Sequence, residues 1–216
     1  MAIKLLVVAA TGGLGSAITR YAVGAGHAVS VLVRSSGDNL ADRLRSQEAA
    51  RGLANVFVGD ASDATVLADA VRGQDAVAVA VGAQAKAVIE NAISVVAAAV
   101  PQPALVMVGG SPALSTEDGT SAVEAVFGGA GWAQGLRDPW RDLHLGTTFS
   151  ALETSAIERY CMVCPGTMKT SEDGMPHGVH GFRPNIIDPS VAGIASTYDD
   201  VAVGFVHACV DPTSSQ

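Results

Sequence analysis

Basic residues are scarce in this sequence, and their scarcity excludes several classes of function. Only 13 of the 216 residues are Lys or Arg, against 21 Asp or Glu, so the formal net charge is −8. The few cations are scattered rather than collected into a run. Nucleic-acid phosphates and anionic membrane surfaces both bind clustered Lys and Arg. We therefore expect neither a nucleic-acid partner nor a membrane partner.

Cysteine is equally rare, and long apolar runs are missing. Cys161 and Cys164 form a Cys-x-x-Cys, and Cys209 is the third cysteine. This spacing occurs in redox and metal sites, but no second pair completes a zinc site. We expect buried or half-buried thiols, no bound metal and a cytoplasmic protein, because thiols persist in a reducing compartment. The apolar N-terminal run is short and glycines follow it directly, which favours a strand over a signal peptide.

Aromatic residues make up 5% of the chain and apolar residues 49%, so Ala, Val and Leu must build the core. Short apolar runs alternate with helix-like segments, and near-continuous apolar strands are typical of a parallel sheet covered on both faces. We predict an α/β fold with a doubly wound parallel sheet and helices on both faces. The expected strands are 3–10, 28–34, 54–60, 75–82, 104–110 and 159–166, and the expected helices are 13–26, 38–52, 63–73, 84–100, 140–155 and 197–210.

The stretch "AATGGLG", residues 9–15, lies between the first predicted strand and the first predicted helix. Gly12 and Gly15 have the spacing of a loop whose backbone approaches a pyrophosphate at a helix N-terminus. The alternative is a tight turn without a ligand. Ala9 stands where the pattern has its first glycine, so we expect a negative φ at Ala9 and a small loss of cofactor affinity.

The ends of the next strands indicate which dinucleotide binds. In NAD-binding folds an acidic residue at the end of the second strand accepts bonds from the ribose hydroxyls. Here Arg34 and Ser35 occupy this place, a pair that suits a 2′-phosphate and favours NADP(H). The alternative for Arg34 is a solvated surface arginine. Asp60 follows the third strand, where it would bind the adenine amino group, and Val81 and Gly82 would lie under the adenosine ribose.

Several stretches together resemble the atypical, NmrA-like short-chain dehydrogenases, and among them the flavin reductase and biliverdin-IXβ reductase group. They are "AATGGLG", "VLVRSS", "VGDASDATVLADAVRGQDAVAVAVG", "VGGSPAL", "VCPGTM" and "STYDDVA". The resemblance implies one NAD(P)-binding Rossmann domain over residues 1–216, with substrate segments at about 110–140 and 167–185. It also implies nucleotide contacts by Thr11, Gly12, Gly13, Leu14, Gly15, Arg34, Asp60, Val81 and Gly82, and contacts beside the nicotinamide by Ser111, Pro165 and Gly166.

The chain departs from the larger dehydrogenase family by lacking its Tyr-x-x-x-Lys pair. No tyrosine stands four residues before Lys4, Lys86 or Lys169. An unactivated ketone needs such an acid, whereas a conjugated acceptor delocalises charge and takes its proton from solvent. We therefore expect Ser111 to act at the catalytic site by orienting the nicotinamide or the substrate. His144 is the nearest histidine candidate, although a structural or surface role is more common for such a residue.

These features predict an NADPH-dependent oxidoreductase that transfers a hydride to a planar conjugated small molecule such as a flavin, quinone or bilin. One alternative is a non-catalytic NADP sensor that docks on another protein, as NmrA-like regulators do. Another is an atypical ketoreductase or isomerase. A monomer and a homodimer are both compatible with the sequence.

Overall fold

A computed structural model describes residues 1–34, 40–44, 46–82, 85–109, 151–152, 154–165, 168–169 and 196–211. The strands are β1 Lys4–Val8, β2 Ala28–Val33, β3 Asn55–Val58, β4 Ala76–Val79, β5 Ala104–Val108, β6 Tyr160–Val163, β7 Met168–Lys169 and β8 Ser196–Thr197. The helices are α1 Gly13–Gly24, α2 Leu40–Arg43, α3 Gln47–Arg51, α4 Ala64–Val71, α5 Lys86–Ala98 and α6 Tyr198–Val210.

The main sheet is parallel throughout, with strand order β3-β2-β1-β4-β5-β6. The direction of winding reverses between β1 and β4, which are neighbours in the sheet. Ligands of open parallel sheets bind outside the carboxyl ends of the strands at such a reversal. This topology confirms the predicted doubly wound sheet. The short strands β7 and β8 form a separate parallel pair.

Two apolar clusters lie on opposite faces of the sheet. Leu5 of β1 joins Ile18 of α1 and Phe205 of α6, whereas the next residue, Leu6, joins the cluster that contains Leu67 of α4. The alternation along β1 follows from the two-residue repeat of a strand. Helices therefore cover both faces, as predicted.

Two local expectations were wrong. The segment 38–52 does not form one helix, because Ser46 has an extended backbone and its hydroxyl accepts a bond from the Ala49 N–H at 3.0 Å, which begins α3. The strand β3 is not buried on both faces, and the side chains of Val56 and Val58 are 40% and 52% exposed. Among the described strands, β3 is at the edge of the sheet and pairs with β2 alone. The predicted helix 140–155 lies mostly outside the described residues.

The cysteines are thiols, and each is located within the described residues. Cys161 in β6 and Cys209 in α6 are buried, and Cys164 after β6 is half-buried. Burial raises the pKa of the Cys209 thiol, so it stays protonated near neutral pH. Among the described helices, none has the length and apolar character needed to cross a membrane.

Candidate dinucleotide site

The loop between β1 and α1 reverses the chain at the carboxyl end of β1. The Gly12 N–H donates to the Ala9 carbonyl at 3.0 Å, which closes a four-residue turn. Ala9 has a φ of +61°, in the left-handed region. The expectation of a negative φ at Ala9 is therefore wrong. The backbone keeps the conformation that a glycine would adopt without strain, although this residue carries a methyl group.

Gly15 allows this loop to pack against the first turn of α1. A Cβ at Gly15 would lie 2.9 Å from the Ala10 Cα and closer still to the Ala9 carbonyl oxygen. The absence of a side chain here is required by packing within the chain. Gly12 differs, because among the described residues a Cβ there would meet only the Ala9 carbonyl oxygen, at 3.4 Å. The space beside Gly12 is a cradle that a ligand can occupy.

The N-terminus of α1 carries no acidic residue and has no side-chain cap. By contrast, Asp63 caps α4, and Thr197 and Asp200 form a capping box at the start of α6. Gly12 and Gly13 are exposed, whereas Leu14 is 5% exposed and offers a ligand only its backbone. Unpaired N–H groups and the helix dipole together favour an anion at this position. The geometry fits the pyrophosphate expected from the sequence.

Arg34 and Asp60 lie at the carboxyl ends of the neighbouring strands β2 and β3, and both are exposed. The Asp60 carboxylate accepts a bond from the Ser62 N–H at 2.8 Å. Bonds from the Ser62 backbone and hydroxyl, and then the charge of Arg34, lower the pKa of Asp60. Asp60 is therefore ionised at neutral pH and can accept a bond from an adenine amino group. Ser35 lies outside the described residues.

Arg43 is a candidate site residue that the sequence reasoning missed. It ends the short helix α2, and its guanidinium donates to the Thr11 hydroxyl at 2.9 Å. This contact brings a cation to residues 9–15, the segment that we call the phosphate loop. The only signal in the sequence is an arginine in the polar segment after the second strand.

The other end of the candidate site, along the carboxyl edge of the sheet, is formed by β5 and β6. The Gly109 N–H donates to the Val163 carbonyl at 2.8 Å. A Cβ at Gly109 would lie 2.6 Å from the Cys164 sulfur, so the two strand ends are in close contact. Pro165 follows at once and is half-buried. Ser111, Gly166, His144, His177 and His180 lie outside the described residues.

Val81 and Gly82 follow β4, across the reversal point from β1. Val81 is half-buried and Gly82 exposed, and the Gly82 carbonyl accepts the Ala85 N–H at 3.0 Å before α5 begins. The described site residues thus line one edge of the sheet, with Arg34 and Asp60 at one end and Pro165 at the other. This is the edge along which a dinucleotide extends in a doubly wound fold.

A sequence profile described as NAD(P)H-binding matches residues 9–202. The chain belongs to this NAD(P)H-binding family. The match begins at Ala9, the first residue of the phosphate loop, and extends into α6. It establishes a nicotinamide cofactor as the ligand class without distinguishing NADP from NAD. No curated protein matches the chain significantly.

Solved structures of proteins named as reductases or as an epimerase share the fold. A provisionally named NADH-flavin reductase from Streptococcus pneumoniae TIGR4 is 24% identical, with a TM-score of 0.73 over 96% of this chain and 92% of that one. A provisionally named epimerase from Bacteroides thetaiotaomicron is 18% identical, with a TM-score of 0.74 over 99% and 93%. Vestitone reductase from alfalfa is 15% identical, with a TM-score of 0.63 over 96% and 73%. With the family match, these neighbours confirm the resemblance to NAD(P)-binding short-chain reductases and the Rossmann-type fold.

Proposed function

We propose that this protein is an NADPH-dependent oxidoreductase that transfers a hydride to a planar conjugated acceptor, such as a flavin, a quinone or a bilin. The observation that carries the proposal is the phosphate loop with its uncapped helix, with Arg43 bonded to Thr11 and Arg34 at the end of the neighbouring strand β2. The proposal takes residues 1–216 as one domain of a cytoplasmic monomer or homodimer. Its substrate segments, about 110–140 and 167–185, lie almost wholly outside the described residues.

The preference for NADPH rests on the charges beside the loop. The chain carries a net charge of −8, yet Arg34 follows β2 beside the strand that leads into the loop, and the guanidinium of Arg43 is bonded to the loop residue Thr11. The bond from Arg43 to Thr11 holds that charge at the loop. A 2′-phosphate is a dianion that arginine binds through charge-assisted bonds, whereas a 2′-hydroxyl gains little from them. Ser35 would add a hydroxyl donor.

Different residues of the candidate site would contact different parts of the cofactor. The backbone from Thr11 to Gly15 would hold the pyrophosphate, and Asp60 would accept the adenine amino group. Val81 and Gly82 would lie under the adenosine ribose. Pro165, with Gly166 and Ser111, would contact the nicotinamide.

When bound, NADPH supplies the hydride. The chain then acts mainly by orientation, because it lacks a Tyr-x-x-x-Lys pair to protonate an alkoxide. Ser111 would orient the nicotinamide or the substrate, and the acceptor would take its proton from solvent. A conjugated acceptor is favoured because it delocalises the charge that it receives.

The cofactor assignment is tested by Arg34→Ala and Arg43→Ala. Arg34→Ala should weaken NADPH binding by roughly 1.5–3 kcal/mol, about 10- to 150-fold, with little effect on NADH, whereas Arg43→Ala should weaken both cofactors, because Arg43 is bonded to Thr11 in the loop that would hold the shared pyrophosphate. Arg72→Ala is the matched control, because Arg72 is 77% exposed, pairs with Asp69 and follows α4 before the amino end of β4, at the sheet edge opposite the loop. Isothermal calorimetry measures all three. Equal weakening of NADPH and NADH by Arg34→Ala, or a wild type that prefers NADH, would refute the assignment.

The reaction is tested by following NADPH oxidation with flavins, quinones and bilins. Turnover with at least one of these acceptors is expected. Tight NADPH binding without turnover on any of them would favour the alternative of a non-catalytic NADP sensor. Turnover restricted to simple ketones would favour an atypical ketoreductase.

A further inference from the structure

The ring of Tyr198 packs over the first residue of α1. A Cβ at Gly13 would lie 2.8 Å from both Cε2 and Cζ of Tyr198. The phenolic end of the ring, which bears the hydroxyl on Cζ, therefore stands beside the N-terminus of α1. The Tyr198 hydroxyl makes no hydrogen bond to any described part of the chain. The side chain is half-buried, so a ligand at the loop can reach it.

The first turn of α6 holds Tyr198 in this place. Arg20 of α1 forms an ion pair with Asp199 at 2.6 Å, and the two side chains are 20% and 9% exposed. The Thr197 hydroxyl donates to the Asp200 carboxylate at 2.6 Å and accepts the Asp200 N–H at 3.1 Å. A cap and a largely buried ion pair thus fix the start of α6 against α1. The ring is pre-organised rather than free to swing.

Tyr198 lies at the start of α6, and the packing of this helix places it toward the half of the sheet formed by β4, β5 and β6. The helix α6 packs on α1 and against β4, β5 and β6, the half of the sheet that ends at Pro165. The strand β8 leads directly into Tyr198 and pairs with β7, which follows the Pro165 turn by two residues. A pyrophosphate that crosses the N-terminus of α1 toward the nicotinamide end passes the Tyr198 ring.

We propose that Tyr198 binds the cofactor, its hydroxyl donating a hydrogen bond to the phosphate on the nicotinamide side. This inference rests on the proposed function, since it requires a dinucleotide in the cleft. It also gives Gly13 a separate role: the missing side chain makes room for the ring. The loop is then held by an arginine on the adenosine side and a tyrosine on the nicotinamide side.

The test compares Tyr198→Phe with wild type by calorimetry, using NADP⁺ and adenosine 2′,5′-bisphosphate as probes. The bisphosphate carries the adenosine-side phosphates but lacks the nicotinamide-side phosphate. Tyr198→Phe keeps the ring on Gly13 and should weaken NADP⁺ about tenfold, while leaving the bisphosphate unchanged. Tyr21→Phe, which removes a phenolic hydroxyl elsewhere on α1, should change neither.

The outcomes separate this inference from the proposed function. Unchanged NADP⁺ affinity in Tyr198→Phe would overturn the inference alone. Equal weakening of both probes would also overturn it, because the hydroxyl would then support the fold rather than the nicotinamide-side phosphate. A wild type that binds neither probe would refute the proposed NADP site, and the inference with it.

Discussion

Replacing Ala9 by glycine should stabilise the protein, although the change removes a methyl group. Ala9 has a φ of +61°, and a residue with a Cβ in this region costs roughly 1–2 kcal/mol, whereas glycine adopts it freely. Glycine also makes the unfolded chain more flexible, which offsets about 0.4–1 kcal/mol of that gain. We expect a net increase of about 0.5–1 kcal/mol in the free energy of unfolding. For a chain of this length, that raises Tm by about 1–4 °C.

The matched control is the neighbouring Ala10→Gly. Ala10 is fully buried and has no positive φ, so the same chemical change should lower the free energy of unfolding by about 1–2 kcal/mol. Urea unfolding of wild type and both variants measures the difference, with equal m values as the check on a two-state comparison. If Ala9→Gly destabilises the protein as much as Ala10→Gly, the argument from backbone strain is wrong.

Ala9→Gly also tests the phosphate loop. Because glycine reproduces the backbone conformation of Ala9 and removes a methyl group, NADPH should bind Ala9→Gly with equal or modestly higher affinity. Isothermal calorimetry on the same folded variants measures their NADPH affinity directly. A marked loss of affinity would mean that the Ala9 methyl contributes to the site.

Gly12→Val should abolish NADPH binding and spare the fold, because its extended backbone accepts any residue and its Cβ would meet one atom in the described part of the chain. Gly15→Ala should instead lower the free energy of unfolding by about 1–3 kcal/mol, because its Cβ would collide with backbone atoms. Calorimetry measures the loss of binding and urea unfolding measures the loss of stability. Normal NADPH binding by Gly12→Val would show that the loop is a turn without a ligand. Ser111→Ala should slow hydride transfer only about tenfold in single-turnover NADPH oxidation, because an orienting hydroxyl donates no proton. A thousandfold loss would reveal a dedicated acid. Iodoacetamide should label Cys164 at least about tenfold faster than Cys209, because burial hides the Cys209 thiol and raises its pKa. Mass spectrometry measures the two labelling rates, and equal rates would contradict the described burial.

Much of this architecture was readable from local patterns in the sequence. The alternation of apolar runs and helical segments predicted the parallel sheet, because strands buried on both faces must be apolar along their length. The spacing of Gly12 and Gly15 after the first strand placed the phosphate loop. Arg34 and Asp60 were predicted to lie at the ends of the second and third strands, because each ends an apolar run. These inferences depend on residues close together in the chain and on the rules that join strands to helices.

Tertiary contacts decided the features that the sequence reasoning missed. The positive φ of Ala9 follows from how the loop crosses Gly15 and closes on Gly12, which no propensity of alanine predicts. Arg43 reaches Thr11 across 32 positions, after Ser46 has divided what the sequence presented as one helix. Tyr198 reaches Gly13 from the far end of the chain because α6 packs on α1. Such contacts depend on how whole helices and strands pack against each other. A local sequence pattern does not determine that packing, because the residues in contact are far apart in the chain.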